Sequence, residues 1–345
     1  MIKLDEINTI PKGLLEITDA RKLYTILPHP TLMTLEGHHK EPLFVSVLLH
    51  GNEDTGLFAI QKILQKYQNR QLPRSLIVFF GNIDAAREGL RRLDGQPDYN
   101  RIWPGGEAEE SDETKLITQV MERITRQKLF ASIDIHNNTG KNPHYGCINR
   151  LDADFLYLAS LFARTIVYFE TPKGVQSLAL AEYCPAVTIE CGKPHLPYGI
   201  EEAARFVDTL LHLAEFPHHI HTEDTDVYHT ALRITIPEAY TFSFSNEEAD
   251  LLLPAELEES NFSELAAGTC FAVVKAGSGA RFAAFNDDGI DCFDDYFIVE
   301  KNEIQLKKAM MPSMITLDER VIRQDCFCYL MERIKLPDTR AEEQR

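Results

Sequence analysis

The chain of 345 residues carries a formal net charge of −18, and 44% of its residues are hydrophobic while 26% are charged. This composition is typical of a folded globular protein and excludes collagen-like, coiled-coil and disordered chains. The acidic charge opposes binding to nucleic acid or to an anionic membrane surface, and no apolar run approaches the roughly 20 residues that a membrane span needs.

Length and cysteine usage predict the domain number and the compartment. The chain exceeds the size at which a single core stops growing, about 250 to 300 residues, so we expect a larger domain over residues 1–216 and a smaller one over 217–345. The seven cysteines are odd in number and scattered, and the sequence begins without an apolar signal segment. These features predict reduced thiols and a cytoplasmic location.

Apolar runs alternate with helical patterns from residue 43 to residue 216, which predicts an α/β domain with a largely parallel or mixed sheet. Strands are predicted over 43–49, 76–80, 131–136 and 186–190, and helices after Glu53, from about Asp112, over 152–163 and over 200–216. The segment from Ile83 to Glu110 is rich in Gly, Pro and charged residues. It predicts a long irregular loop of the kind that often carries function.

Beyond Pro217 the pattern changes to short strands separated by turns. They are predicted over 227–236, 240–244, 270–274, 281–285 and 326–330, and no long amphipathic helix is predicted there. We therefore expect a β-rich C-terminal domain. The polar stretch from Pro217 to Asp226 is its predicted junction, and the tail from Pro337 is expected to fray.

Three of the predicted strands end in side chains that can bind a metal. His50 and Glu53 follow the strand over 43–49, His136 ends the strand over 131–136, and Glu190 ends the strand over 186–190. Ligands of open α/β sheets bind at the carboxyl ends of the strands. His50, Glu53 and His136 supply the three ligands of one catalytic Zn²⁺ per chain, which leaves a position for water with its pKa lowered to about 7. Glu190 remains as the general base that takes the proton of this water.

Six segments carry a resemblance to a known family, in the family's order and approximate spacing. They are His50-Gly51-Asn52-Glu53, Gly81-Asn82, Arg91-Arg92-Leu93-Asp94, Asp98-Tyr99-Asn100-Arg101, Asp134-Ile135-His136-Asn137 and Thr188-Ile189-Glu190-Cys191-Gly192-Lys193-Pro194. The chain resembles the succinylglutamate desuccinylase and aspartoacylase family, a branch of the zinc carboxypeptidase superfamily, over about residues 40–215. The resemblance implies a zinc-carboxypeptidase-like mixed sheet covered by helices.

The resemblance also implies an activity, namely hydrolysis of the amide bond of a small N-acyl amino acid, with the metal ligands and base named above. It assigns Arg91 to stabilisation of the oxyanion of the tetrahedral intermediate. Asn100 and Arg101 would hold a substrate carboxylate, a task that suits the planar fork of a guanidinium group.

At one position the chain departs from the family. The family carries a further substrate-binding arginine shortly before the catalytic glutamate, whereas this chain has Leu180 there and only Lys173 as a nearby base. A substrate with a second carboxylate would lose a partner at this position. The expected substrate is therefore an acyl amino acid other than acetylaspartate or succinylglutamate, or a small peptide-like amide.

Several alternatives stay open at this stage. The fold also suits a metallocarboxypeptidase that acts on short peptides, or a non-catalytic scaffold. The expected partner is a small-molecule N-acyl amino acid, and binding to nucleic acid or to a membrane is not expected. Assembly into a homo-oligomer is left open. Asp134 either orients a ligand histidine or forms a turn, and Arg87 and Arg92 are expected to be solvated. Surface positions are expected for His218, His219, His221 and His229.

Overall fold

The computed structural model describes residues 2–217, 225–246 and 248–336, and it divides into two compact units. The first unit holds the described residues of 2–137 and 144–226 together with 336, and the second holds 138–143 and 227–335. The predicted surface histidines at 218, 219 and 221 and the predicted frayed tail lie outside the described residues. The junction at 217–226 is described only at its ends, and the domain boundary at residue 217 stays a prediction.

The first unit combines a mixed sheet with covering helices, which confirms the predicted α/β class. Its strands are β1 (Asp5–Ile7), β2 (Thr31–Leu35), β3 (Gly37–Val47), β4 (Leu72–Phe80), β5 (Ala131–His136), β6 (Tyr145–Ile148), β7 (Thr165–Tyr168) and β8 (Ala186–Glu190). Its α-helices are α1 (Thr55–Lys66), α2 (Ile83–Glu88), α3 (Asp112–Ile124), α4 (Ala153–Ser160), α5 (Gln176–Leu180) and α6 (Pro197–His212). Two 3₁₀ turns cover Leu14–Glu16 and Ala20–Thr25.

The strands of this unit follow the order β1-β2-β4-β3-β5-β8-β6-β7. β4, β3, β5 and β8 are mutually parallel, whereas β2 is antiparallel to β4 and β6 is antiparallel to β8. β5 and β8 are buried along their whole length. Their near-continuous apolar sequences suit central parallel strands that are covered on both faces.

Local sequence signals explain where the helices begin. α1 starts two residues after Glu53 and buries one apolar stripe that includes Leu57, Ile60 and Leu64. α3 starts with a capping box in which Ser111 and Thr114 satisfy each other's backbone N–H groups. α6 starts at Pro197, earlier than predicted, because proline is well suited to the first position of a helix.

The prediction of an irregular segment from Ile83 to Glu110 is wrong at its start, where α2 forms. The Asn82 side chain caps this helix by accepting the N–H of Ala85 at 3.2 Å. Gly89, with φ +66°, ends it in the left-handed conformation. Both signals were present in the sequence, but one and a half turns are too short to show a helical repeat of apolar residues.

The second unit is β-rich, as predicted. Its strands are β9 (Asp226–Thr235), β10 (Phe242–Ser243), β11 (Leu251–Leu252), β12 (Cys270–Val274), β13 (Ala283–Phe285), β14 (Phe297–Glu300), β15 (Glu303–Leu306), β16 (Met311–Ser313) and β17 (Cys328–Ile334). Its short helices are α7 (Phe293–Tyr296) and α8 (Glu319–Gln324), beside a 3₁₀ turn at Ala255–Ser260. β17 pairs with β9 and β16, and a second sheet has the order β10-β11-β12-β15-β14. Buried phenyl rings, among them Phe271, Phe282 and Phe327, fill the core of this unit.

Helix length and the state of the cysteines relate to two expectations from composition, namely that no segment spans a membrane and that the thiols are reduced. Among the described residues the longest helix is α6 with 16 residues, and no helix there has the length and apolar character needed to cross a bilayer. The seven cysteines are present as thiols. Burial raises the pKa of the Cys184 thiol to about 12, so this group stays protonated near neutral pH.

Gly51 lies at the closest approach between the turn after β3 and α2. A Cβ atom at this position would lie 2.2 Å from the backbone nitrogen of Ala86 and 2.3 Å from the carbonyl carbon of Ala85. Backbone atoms cannot rotate away as a flexible side chain can. Only glycine therefore fits at position 51, which lies between His50 and Glu53, the first two candidates for metal binding.

We expect Gly51→Ala to lower the free energy of unfolding by about 1 to 3 kcal/mol, because the added methyl group must push two backbone segments apart. The midpoint of urea denaturation measures this change. Glu88→Ala, at an exposed position of α2, is the control and should stay within about 0.5 kcal/mol of the wild type. Equal midpoints for Gly51→Ala and the wild type would contradict the close packing.

Candidate metal centre

Three side chains that can bind a metal converge at the ends of two neighbouring parallel strands. His50 and Glu53 lie in the turn between β3 and α1, and His136 is the last residue of β5. β3 and β5 are paired in parallel, with Val45 opposite Ile133. Because both strands run the same way, their carboxyl ends bring these side chains to one edge of the sheet.

Glu53 lies between the two histidine rings. Its Oε1 is 2.8 Å from Nδ1 of His50, and its Oε2 is 2.7 Å from Nδ1 of His136. One ligand atom from each residue lies within 4.8 Å of the other two, and all three residues are buried. Two imidazole nitrogens and one carboxylate are the donor set of catalytic zinc sites that keep one position open. The residues present therefore fit the predicted metal.

The far nitrogen of each ring contacts a carboxylate that fixes the orientation of the ring. Nε2 of His50 lies 2.9 Å from Oδ1 of Asp98, and Nε2 of His136 lies 2.7 Å from Oδ2 of Asp134. Ser46 donates its hydroxyl to Oδ1 of Asp134 at 2.6 Å. A proton held on Nε2 by such a partner leaves the lone pair of Nδ1 for a metal. Of the two roles open for Asp134, the contacts favour orientation of His136.

These contacts shift the pKa values of the site. Burial disfavours the charged form of His136, but Asp134 and Glu53 outweigh it and raise the pKa of this imidazole well above 6.5. Burial also opposes ionisation of Asp98, yet His50 and Arg91 hold its pKa well below 3.8. A metal must displace a proton from His136, so metal affinity should weaken as the pH falls.

The site region combines four carboxylates with two guanidinium groups and two imidazoles. Four carboxylates lie in the site region with little or no solvent exposure, namely Glu53, Asp98, Asp134 and Glu190. Arg91 lies in contact with this group, and Arg101 also lowers the pKa of Asp98. Two guanidinium groups lie beside these four carboxylates, and the imidazoles of His50 and His136, whose pKa values are raised, supply further positive charge when protonated. Buried charge without compensation is costly, and a divalent ion bound by the imidazoles would replace the positive charge of their protons.

Arg91, the predicted oxyanion residue, is held beside the ligand group. Its Nε and Nη2 donate to Oδ2 of Asp98 at 3.2 and 3.1 Å, and its Nη1 lies 3.6 Å from Oε1 of Glu53. Its carbonyl oxygen accepts the N–H of Gly51 at 3.1 Å. The guanidinium is thus fixed in direction by Asp98, while its role toward an oxyanion stays a proposal.

Asn100 and Arg101, the residues predicted to bind a substrate carboxylate, follow Asp98 in the chain. The Asn100 Nδ2 lies 3.2 Å from Nε2 of His136, and its Oδ1 accepts the N–H of Gln176 at 2.9 Å. Nη1 of Arg101 donates to the carbonyl oxygen of Asn100 at 2.8 Å. Asn100 is therefore engaged within the protein, and the substrate-binding roles of both residues stay proposals.

Glu190, the predicted general base, lies next to His136 in the sheet. The two residues are opposite each other in the parallel pair of β5 and β8, so their side chains project from the same face. Glu190 is buried, and the following residue, Cys191, donates its N–H to the carbonyl oxygen of His136 at 3.0 Å. The ligand group of described residues comprises His50, Glu53 and His136. Glu190 thus lies beside a candidate ligand without belonging to that group.

Other positions singled out in the sequence have plain structural surroundings. Arg87 lies over the ring of Tyr24 at 4.7 Å, and Arg92 donates to the carbonyl oxygen of Gln96 at 2.7 Å. Leu180, where the resemblance led us to expect a further arginine, is fully buried in α5.

Asp98 is the residue that sequence reasoning quoted but gave no role. It accepts hydrogen bonds from Arg91 and from the backbone N–H of Asn100 at 2.7 Å, and it contacts the ring of His50. Its place in the segment Asp98-Tyr99-Asn100-Arg101 was visible in the sequence, but only the fold shows that it joins His50 to an arginine. Asp98 is therefore the link between the candidate metal ligands and the cationic side of the site.

The sequence matches the succinylglutamate desuccinylase/aspartoacylase catalytic domain over residues 41–216. This match covers half of the chain, and the chain belongs to that family. The resemblance seen in the sequence motifs is confirmed. No curated protein sequence matches the chain significantly.

Solved structures support the same fold. The succinylglutamate desuccinylase from Chromobacterium violaceum has a TM-score of 0.58 and 17% identity, covering 86% of this chain and 86% of that chain. The succinylglutamate desuccinylase from Vibrio cholerae has a TM-score of 0.60 and 12% identity, covering 93% and 97%. Murine aminoacylase 3 has a TM-score of 0.57 and 14% identity, covering 87% and 97%. At these identities the likeness establishes the fold.

We expect Asp98→Asn to weaken Zn²⁺ binding about 10- to 100-fold, because the amide loses the charge that orients the His50 ring. Competition with a chromophoric chelator measures the dissociation constant. Asp154→Asn, at an exposed position of α4, is the matched control and should bind as the wild type does. An unchanged constant for Asp98→Asn would contradict the orienting role.

Proposed function

We propose that the chain is a zinc-dependent amidohydrolase that cleaves the amide bond of a small N-acyl amino acid. The observation that carries the proposal is the convergence of His50, Glu53 and His136 around one point, with Glu190 adjacent to His136 in the sheet. Membership of the desuccinylase and aspartoacylase family supports the reaction class. A scaffold without chemistry has no need for a spare buried acid beside a complete ligand set.

His50, Glu53 and His136 would hold the metal in this proposal. Zinc bound there would lower the pKa of a water molecule to about 7 and polarise the carbonyl group of the substrate. The roles of Asp98 and Asp134 are to keep the two rings oriented through their Nε2 atoms. This preorganisation means that the rings need not reorient when the ion binds.

Glu190 would move the proton that hydrolysis requires. The water oxygen bonds to the carbonyl carbon, and the Glu190 carboxylate accepts the proton that this oxygen loses. The same proton then passes to the nitrogen as the carbon–nitrogen bond breaks, so that a free acid and a free amine result. A buried carboxylate in direct reach of the reacting atoms can serve as base and then as acid.

Arg91 would stabilise the negative charge that develops on the carbonyl oxygen. Asp98 fixes its guanidinium through two hydrogen bonds and so sets its direction before substrate binds. Donors that are already in place when the charge develops supply much of the rate enhancement of hydrolases. Arg101 and Asn100 remain our candidates for the carboxylate of the amino acid, with Arg101 contributing the charge.

Leu180 bears on the charge of the substrate. Its buried aliphatic side chain offers no charge to a second carboxylate. We therefore propose a substrate with a single carboxylate, in which neither the acyl group nor the side chain of the amino acid is acidic. Succinylglutamate desuccinylase and aminoacylase 3, named among the structural relatives, mark the range of acyl amino acids to be compared.

A substrate panel with metal removal tests this proposal. We expect a chelator to abolish turnover, added Zn²⁺ to restore it, and N-acyl amino acids with one carboxylate to give a higher kcat/KM than those with a second carboxylate, such as acetylaspartate and succinylglutamate. Short peptides with a free carboxyl terminus form the comparison arm. Turnover of peptides alone would favour a metallocarboxypeptidase, and bound metal without any turnover would favour the scaffold.

Glu190→Gln separates the base from the metal ligands. We expect kcat to fall about 100- to 10,000-fold, since an amide cannot accept the proton, while one zinc per chain is retained in elemental analysis. Glu201→Gln, at an exposed position of α6, should leave both quantities unchanged. Retained turnover would remove Glu190 from the chemistry, and loss of zinc would make it a ligand.

A further inference from the structure

Asp54, the residue after the proposed ligand Glu53, makes a contact that the chemistry above does not use. Its Oδ2 lies 2.5 Å from Nδ1 of His195, and its Oδ1 accepts the backbone N–H of His195 at 3.2 Å. The Asp54 side chain is 4% exposed and that of His195 is 77% exposed. A buried carboxylate thus holds a loop residue whose ring lies at the surface.

Two local costs are incurred at this contact. Asp54 is the N-cap of α1, where an aspartate carboxylate usually accepts a helix N–H and contributes about 1 kcal/mol. Here the carboxylate makes no such bond. His195 has φ +64°, in the left-handed region that costs a non-glycine residue about 1 to 2 kcal/mol. Unfavourable conformations of this kind persist where neighbouring contacts enforce them, and they concentrate at functional sites.

A second anchor lies between Glu190 and His195. Asn137 donates its Nδ2 to the carbonyl oxygen of Gly192 at 2.9 Å, and its own backbone N–H donates to Oε2 of Glu53 at 3.0 Å. We call residues 191–195 the Glu190 segment, because it continues directly from that residue. The segment is therefore tied at Gly192 and at His195 to the residues that flank or contact Glu53.

We propose that Asp54 and His195 are positioning residues that fix the Glu190 segment, and through it the Glu190 carboxylate, relative to the metal ligands. The inference rests on the proposed function, since Glu190 is the general base there. We call the contact between Asp54 and His195 the tether. Without the tether, the chain after Glu190 would be held only by the Asn137 contact at Gly192, which has φ +72°, and by the Cys191 N–H.

The energetic scale separates positioning from simple stabilisation. A contact with one exposed partner contributes about 0 to 1 kcal/mol to folding, which is a small part of the stability of a chain of this size. A displacement of a reacting group by about 1 Å can lower a rate about 100-fold. The tether should therefore matter far more for turnover than for unfolding.

Three substitutions divide these effects. Asp54→Ser removes the carboxylate but supplies a side chain that caps α1 well. His195→Gly removes the ring and relieves the left-handed strain. His195→Asn keeps a side chain that tolerates this conformation and can still donate to Asp54, so it is the conservative rescue. His39→Asn, at an exposed position of β3, is the matched control.

The readouts are amide hydrogen exchange of residues 191–196 in the zinc-loaded protein without substrate, zinc affinity, the thermal midpoint, and kcat with KM. For Asp54→Ser we expect an unchanged midpoint and zinc affinity, exchange at least about tenfold faster, and kcat lowered at least about tenfold with little change in KM. His195→Gly should raise the exchange rate and lower kcat by smaller factors than Asp54→Ser does. His195→Asn should restore most of the kcat that His195→Gly loses, and His39→Asn should match the wild type in every readout.

The inference is overturned if exchange of residues 191–196 is the same in Asp54→Ser, His195→Gly and the wild type. It is also overturned if the thermal midpoint falls while kcat stays unchanged, because the pair would then be a structural pin. Should Asp54→Ser fail to fold, His195→Gly decides by the same measurements. Exchange uses no substrate, so its result does not depend on turnover, whereas the proposed function fails separately if no acyl amino acid is turned over with zinc.

Discussion

Parallel pairing of β3 with β5 and of β5 with β8 is the constraint on which the site depends. The pairing places residues that are far apart in the chain at one sheet edge, and the register sets His136 directly opposite Glu190. A shift of one residue between β5 and β8 would turn one of these side chains to the opposite face. The chemistry proposed here is thus a consequence of strand register, which buried apolar residues on both faces of the sheet enforce.

The charges at this sheet edge then determine which ligand it can bind. The site region holds four carboxylates beside two arginines, and the Asp98 carboxylate contacts both His50 and Arg91. The same arrangement orients the histidine rings and aims the guanidinium group. In the proposed function, one buried carboxylate therefore links metal affinity to oxyanion stabilisation, and the two properties should respond together to changes at Asp98.

The sequence was sufficient for the α/β class, the β-rich C-terminal part and the residues of the ligand group, because strand ends and side-chain chemistry are local features. β5 and β8 were predicted with the bounds that the structure has. The short strands β1, β2, β6 and β7 were missed, since three to five residues show no clear repeat. The contact between Asp54 and His195 was also beyond reach, because a partner 141 residues away leaves no mark on local sequence.

Anomalous diffraction at the zinc edge tests the central claim most directly, since it locates the ion without reference to activity. For crystals of the zinc-loaded protein we predict one peak per chain, about 2.0 to 2.1 Å from Nδ1 of both His50 and His136 and in contact with the Glu53 carboxylate. A peak bound by other residues, or no peak between the two rings, would contradict the account.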